Sequence, residues 1–548
     1  MKIAALCARL DKLKLSSFLR SRYLLAVIAG IIYTAAFPKI GIAGLAWVAP
    51  GLILFAARGT SGRQAFKIGW LAGFSGWMVM LYWLLFIPYR WMGIPFGPAL
   101  GWVVLSAFLG LYTGIWVLLC QRIQSLRFNV QGSTWLQRAS WALLCAILWV
   151  TMEMIQARFL SGFPWMLLGT SQHKMTPLIQ IASVTGVYGV GFVIVWFSVS
   201  LLNAINVLIN KPTSYRSLMA EVFLPLLVVV SLVTWGFSRI TRSITADGSV
   251  PRTIRIALVQ PSIPQEVIWD EGAIPERFEQ LMRVSEAALI EKPDLLVWPE
   301  AAMPGFSVEH FTAITNMIVQ NKVWMILGAD DAERKLEGGL DDLDFFNASF
   351  LFNPEGDYVA SYRKLRLVMF GEYVPFTRWL PFLRWFTPVQ GGFTPGKGPV
   401  QFQMSELGAQ TTVLICFEDV FPHHTRRYVE GDSDFLLNLT NDGWFGRSAA
   451  QWQHAMTALF RAVENGTPLV RCTNNGLTCW IDEFGRLREF LGQKTGDVYS
   501  AGYLICKVPA GKKYERTFYN RHGDWFGWAC VATGLLTFTP LLVRRRKP

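Results

Sequence analysis

Val413-Leu-Ile-Cys416-Phe-Glu-Asp419 is a short apolar run that ends in a thiol and is followed at once by two carboxylates. Two other segments share its form. Leu295-Leu-Val-Trp-Pro-Glu300 is an apolar run ending in a carboxylate, and Tyr362-Arg-Lys364 runs on through Leu367-Val-Met-Phe-Gly-Glu372-Tyr. Ile254–Gln260, Trp324–Ala329, Ala348–Asn353, Phe435–Asn441 and Leu469–Thr473 also read as buried strands, with helices expected over Ile274–Ile290 and Ala449–Asn465. Nearly continuous apolar strands belong to sheets covered by helices, so the class expected here is α/β. Strand ends in such sheets hold side chains rigidly outside the core, which is where sites collect.

The chain around this region is of another kind. It has 548 residues, of which 52% are hydrophobic and 16% charged, and its mean hydropathy is +0.33. About 20 apolar residues as helix cross a bilayer. Stretches near 23–38, 41–57, 68–88, 98–120, 139–157, 187–209, 222–237 and 525–543 are read as spans, eight in total. Lys2, Arg9, Lys12, Lys14, Arg20 and Arg22 precede the first, and Arg544-Arg-Arg-Lys547 ends the last. Arg58, Arg63, Lys67, Arg122, Arg127, Arg138, Lys211 and Arg216 follow spans two, four and six, against Lys39, Arg90, Arg158 and Lys174 on the opposite connections. Basic residues stay on the cytoplasmic side, so both termini are expected there and the region from about 240 to 520 outside. Most of the +13 net charge is then a topology signal. It is spread over loops and tails rather than one face, which argues against nucleic acid as a partner.

The three strand-end groups suggest acyl transfer. A thiol is a good nucleophile once a base takes its proton. A carboxylate partly removed from water has a raised pKa and can take that proton and return it. A lysine can stabilise the carboxylate and the oxygen that becomes negative in a tetrahedral intermediate. Glu300, Lys364 and Cys416 would form such a Cys-Glu-Lys site, with the backbone N–H near Phe417 as a second donor. A Cys-His pairing with His423, His424 or His454 is a rival reading, although Pro422-His-His-Thr-Arg-Arg427 reads more simply as a surface loop. An ion-coupled transporter fits poorly, because apart from Glu153 the spans hold few acidic residues. Six His without HExxH or a Cys/His cluster suggest no metal, and no Walker or dinucleotide fingerprint suggests a cofactor. Cys416, Cys472, Cys479 and Cys506 could pair in an oxidising compartment, although their spacing has no staple pattern.

These motifs resemble the three catalytic motifs of the nitrilase superfamily, and with the multi-span half in front the chain resembles the bacterial apolipoprotein N-acyltransferases. Ala257-Leu-Val-Gln-Pro-Ser-Ile-Pro-Gln265 with Trp269, Leu439-Thr-Asn-Asp-Gly-Trp-Phe-Gly446, Gln453-His454, Arg471-Cys-Thr-Asn-Asn-Gly476 and Ser161-Gly-Phe-Pro-Trp165 extend the likeness. The resemblance implies a nitrilase-like αββα sandwich joined to a polytopic transmembrane helical bundle. Its parts would be a basic cytoplasmic segment 1–22, a membrane domain 23–240, a periplasmic catalytic domain 241–520, and a last helix with a basic tail 521–548. It implies ping-pong transfer of an acyl chain from a phospholipid to the amino group of a diacylglyceryl-cysteine lipoprotein, by a monomer in the inner membrane. Glu300 would be base and acid, Lys364 the oxyanion stabiliser and Cys416 the nucleophile. Glu372 and Glu418 would be accessory carboxylates, and Trp269 would shape the lipid entrance. Phe417 departs from the Tyr that often follows the nucleophile, and Met369 from a common Pro. The aromatics Phe370, Tyr373, Phe376, Trp379, Phe382, Trp385, Phe386 and Phe393, among Arg366, Arg378, Arg384 and Lys397, suggest a lid at headgroup level.

Overall fold

The computed structural model describes residues 21–88, 96–127, 134–210, 215–246, 252–268, 270–303, 307–335, 343–377, 379–382, 392–429, 433–511 and 516–544. The basic N-terminal segment up to residue 20, Cys7, Trp269, Arg378, Arg384, Trp385, Phe386 and the tail from residue 545 lie outside them. The chain forms two compact units. One comprises Met1–Tyr82, Leu100–Ser238 and Asp524–Pro548, the other Trp83–Ala99 and Arg239–Gly523.

The first unit is helical. A helix falls on each expected span: Arg22–Ala35, Ala49–Ala56, Gly62–Met80, Gly97–Arg127, Trp135–Gln156, Val187–Asn210, Tyr215–Ala246 and Trp525–Arg544. Among the described residues, four are long and apolar enough to cross a bilayer: Gly97–Ser125, Trp135–Gln156, Val187–Leu208 and Glu221–Arg242. The count of eight crossings is therefore supported for four. The stretch 41–57 is apolar but not one helix. It divides into a 3-10 turn, Ala43–Trp47, and an eight-residue helix. Small residues let these helices approach closely. A Cβ on Gly30 would lie 2.1 Å from the Ala72 carbonyl oxygen and one on Gly73 2.8 Å from Thr113, while Thr34 Oγ1 donates to the Gly76 carbonyl at 2.8 Å.

The second unit holds two six-stranded sheets. Their strands are β1 (Thr253–Gln260), β2 (Leu295–Val297), β3 (Trp324–Arg334), β4 (Leu343–Phe352), β5 (Tyr358–Arg363), β6 (Gln401–Met404), β7 (Ala409–Ile415), β8 (Phe435–Thr440), β9 (Leu469–Thr473), β10 (Cys479–Ile481), β11 (Leu487–Phe490) and β12 (Gly502–Pro509). The orders are β12-β1-β2-β3-β4-β5 and β11-β10-β9-β8-β7-β6. β1, β2 and β3 run parallel, as do β7, β8 and β9. Side chains alternate between faces. Ala257, Val259, Leu296, Trp298, Met325 and Leu327 pack beneath the helices Ile274–Leu289 and Val308–Asn321. The sheets meet on the other side, where Cys472 Sγ of β9 donates to the Val259 and Val297 carbonyls and Thr473 Oγ1 bonds Gln260 Oε1 at 3.0 Å. The nitrilase-like α/β sandwich expected from the sequence is the fold observed. Cys416, Cys472, Cys479 and Cys506 are free thiols.

One close approach in this unit bears on the site. A Cβ on Gly328 of β3 would lie 2.4 Å from the Pro299 carbonyl oxygen and 2.9 Å from Glu300 Cα. Gly328→Val is expected to push the end of β2 outward and cost about 1–3 kcal/mol, the usual range for overpacking. Thermal melting of the purified variant would check it, because an unchanged midpoint would mean that the strand end yields freely.

Candidate active site

β7 delivers Cys416 into a tight turn, Cys416–Val420, where it adopts φ +51°. That left-handed conformation is uncommon for a residue with a Cβ and persists only when its surroundings enforce it. Two groups do so. Glu418 Oε2 accepts the Ile415 N–H at 2.8 Å, and Asn438 Nδ2 donates to the Cys416 carbonyl at 3.0 Å. The turn lifts the thiol off the strand while the backbone beneath stays fixed.

Glu300 lies just beyond β2 and Lys364 directly after β5, both buried. Lys364 Nζ is 2.7 Å from Glu372 Oε1 and 3.3 Å from Glu300 Oε1. Asn347 on β4 donates to both carboxylates, at 2.8 Å to Glu300 and 3.0 Å to Glu372, and its carbonyl accepts the Lys364 N–H at 2.9 Å. The second oxygen of Glu300 accepts the Asn441 N–H at 3.0 Å. Glu372 Oε2 accepts from Val368 N at 2.8 Å, closing the loop that contains Met369.

The electrostatics follow from burial and charge. Burial lifts the Cys416 thiol well above its ordinary value and Glu300 adds to the shift, while Lys364 and a hydroxyl contact from Thr440 oppose it. Burial also raises Glu300; Lys364 opposes this and Glu372 reinforces it. Burial alone would discharge Lys364, but Glu372 and Glu300 outweigh it and hold the ammonium charged. The thiol is thus protonated at rest. Glu300, made more basic by its surroundings, is a carboxylate that interacts with it.

Glu418 is fully buried and acts as a staple. Besides Ile415 N–H it accepts from Leu365 N at 2.8 Å, Arg366 N at 3.0 Å and the Tyr362 hydroxyl at 2.8 Å. One carboxylate thereby joins the chain around Lys364 to the chain around Cys416. Tyr428 and His424 continue this network, with Tyr428 Oη 3.0 Å from His424 Nε2. Phe417 packs edge-on against Phe421.

The sequence reading therefore placed Glu300, Lys364, Glu372, Cys416 and Glu418 where the fold gathers them. It missed Asn347, Asn438 and the Tyr362–Tyr428–His424 cluster. Asn347 and Asn438, polar residues inside apolar strand runs, were the available signal. Of the rival histidines, His424 is held by Tyr428, and His454 has its ring nitrogens 2.7 and 2.9 Å from Asp442 and Asp419.

Burial pushes Glu418 up, but His424, the Ile415 N–H and Lys364 outweigh it and hold the carboxyl below its ordinary value. A depressed folded value stabilises the protein above the unfolded pKa of about 4.3 and is lost as pH falls through the folded one. Glu418→Gln is expected to lower stability at pH 7 and to flatten its decline below about pH 4.5. Melting curves at several pH values would show this, and parallel acid limbs in variant and parent would contradict it.

Residues 29–200 match the family described as apolipoprotein N-acyltransferase N-terminal domain, and residues 255–502 match carbon-nitrogen hydrolase. The chain is 34% identical over 534 residues to a Geobacter metallireducens protein named apolipoprotein N-acyltransferase, covering 96% of each. It is 30% identical to a protein of the same name from Vibrio cholerae, over 94% of this chain and 96% of that one. A third, from Rickettsia prowazekii, is 28% identical over 84% of this chain and 87% of its own. With full-length similarity of this kind added to the fold and the site, the chain belongs to the apolipoprotein N-acyltransferase family.

Proposed function

We propose that the protein moves a fatty acyl chain from a phospholipid to the N-terminal amino group of a diacylglyceryl-cysteine lipoprotein, through a thioester on Cys416. The observation that carries this reading is the buried Glu300–Lys364–Glu372 cluster interacting with the Cys416 thiol. Glu300 takes the Sγ proton as sulfur attacks the ester carbonyl of the donor. Lys364, with the N–H of Phe417, stabilises the oxyanion. The C–O bond then breaks, and the lysophospholipid alkoxide takes the proton from Glu300. In the second half the acceptor's neutral amine attacks the thioester. Glu300 accepts an amine proton and passes it to the departing thiolate, which restores the resting enzyme.

Lipid substrates suit the rest of the chain. Among the described residues, four helices are long and apolar enough to cross a bilayer. Near Glu372, the segment with Phe370, Phe376, Trp379, Leu380 and Phe382 exposes large apolar side chains, Trp379 at 79%. Such a surface belongs at a lipid interface or over an acyl chain. With Trp269 it would form the lipid entrance and help exclude water, which competes for the thioester. We place residues 23–240 and the helix of 521–548 in the inner membrane, the basic tail of 521–548 in the cytoplasm and 241–520 on the periplasmic side, with a monomer as the working unit.

In detergent micelles holding phospholipid and a diacylglyceryl lipopeptide with a free N-terminus, lysophospholipid release is expected to match lipopeptide N-acylation one for one. Cys416→Ala should abolish both. Glu300→Gln should slow them by about 10²–10⁴-fold, and Lys364→Met by about 10²–10³-fold. Blocking the lipopeptide amine should stop turnover. If free fatty acid appeared at the same rate with the blocked peptide, the protein would be a hydrolase.

A further inference from the structure

Behind the nucleophile turn lies a second group of charges. Asp419 follows Cys416 by three residues, Asp442 begins the turn after β8, His454 projects from the helix Ala450–Asn465, and Arg471 is on β9. All four are at most 3% exposed. His454 Nδ1 is 2.7 Å from Asp442 Oδ1 and Nε2 is 2.9 Å from Asp419 Oδ1. Arg471 pairs with Asp419, and its Nη2 is 3.6 Å from Asp442 Oδ2.

The geometry suits a protonated ring. A neutral imidazole has one N–H donor and one lone pair. With an ionised carboxylate against each nitrogen, the neutral ring would set a lone pair against an anion. Only the imidazolium donates both ways, and two cations then balance two anions. Burial opposes this charge, but Asp442 and Asp419 outweigh burial and Arg471, and the ring is held up to about 9. A ring committed in this way cannot serve as the base for the thiol.

The link to the chemistry runs through Asp442. Thr440 Oγ1 donates to its Oδ1 at 3.4 Å, and the same hydroxyl acts to lower the thiol. The charges acting on the thiol are Glu300, Lys364, Asp442 and Arg471. Without the His454 charge, Arg471 alone would offset Asp442, and the carboxylate would oppose thiolate formation more strongly.

We propose that His454 is a positioning residue whose imidazolium clamps the turn after the nucleophile to the turn after β8 and cancels the carboxylate that faces the thiol. The proposal rests on Cys416 being the nucleophile, but it concerns the sulfur's reactivity and not the acyl groups exchanged. It is therefore tested with iodoacetamide, without lipid, by following carbamidomethylation of Cys416 against pH by peptide mass spectrometry on the full chain. His454→Asn is expected to move the midpoint up by about one pH unit, slowing the reaction about tenfold at a fixed pH below it. His454→Lys, which restores a cation, should recover part of the rate. Asp442→Asn should move the midpoint down.

A lesion that merely loosened the turn would not shift the two midpoints in opposite directions. Unshifted profiles, or shifts of the same sign, would overturn the proposal. Should His454→Asn fail to fold, Asp442→Asn alone decides, and an upward or absent shift contradicts it. Absence of N-acylation by the parent protein would instead count against the proposed function and leave this result standing.

Discussion

An ammonium buried between two carboxylates is the constraint on which the rest of the site depends. Lys364 is 1% exposed, and desolvation on that scale would cost several kcal/mol if the charge were unpaired. Glu300 and Glu372 offset that cost, Asn347 bonds both of them, and Val368 N and Asn441 N take their remaining oxygens. The cluster carries one more negative than positive charge, so in the proposed mechanism a proton passing from the thiol to Glu300 would relieve repulsion rather than create it. Burial makes the thiol reluctant to ionise and the carboxylate eager to be protonated, and both effects come from the same exclusion of water.

The same economy governs how the strands present these groups. Cys416, Glu300 and Lys364 each come directly after a strand or one short step beyond it, at the end where the parallel strands of both sheets finish. Glu418 ties two of these ends together by accepting N–H groups from Ile415, Leu365 and Arg366. These backbone donors share the stabilisation of the anion with His424, whose Nε2 is 3.6 Å from Oε1. The strained backbone at Cys416 is maintained by these bonds, so the thiol's geometry is a property of the network and not of the turn alone.

Much of this was legible in the sequence because it lay in short, contiguous signals. A strand that runs into Cys416 or Glu300 shows an abrupt change from apolar to ionisable, Lys364 was marked instead by its Tyr362-Arg-Lys364 motif, and seven strands with largely apolar runs were readable as such. β5, β6 and β11 were not, since edge strands are short and partly exposed and lack the apolar run. β12 pairs with β1 across some 240 residues of chain, a relation that local periodicity does not encode. Asn347 and Asn438 were hidden for a similar reason: an amide in a strand looks like a weak residue until its partners are known. The helical unit shows the opposite error. Apolar composition over 41–57 suggested one crossing, whereas the chain turns at Ala43–Trp47 before a short helix begins. Hydropathy reports what a segment avoids, not whether it is continuous.

The proposed mechanism has Cys416 carry the acyl group between two lipids. Intact-protein mass spectrometry after mixing with phospholipid tests it most directly, with a free-amine lipopeptide added afterwards. A mass gain of one fatty acyl chain on Cys416 is expected, which persists in water and is lost as the lipopeptide gains the same mass. Turnover with no such adduct at any time point, or with the adduct on another residue, would contradict it.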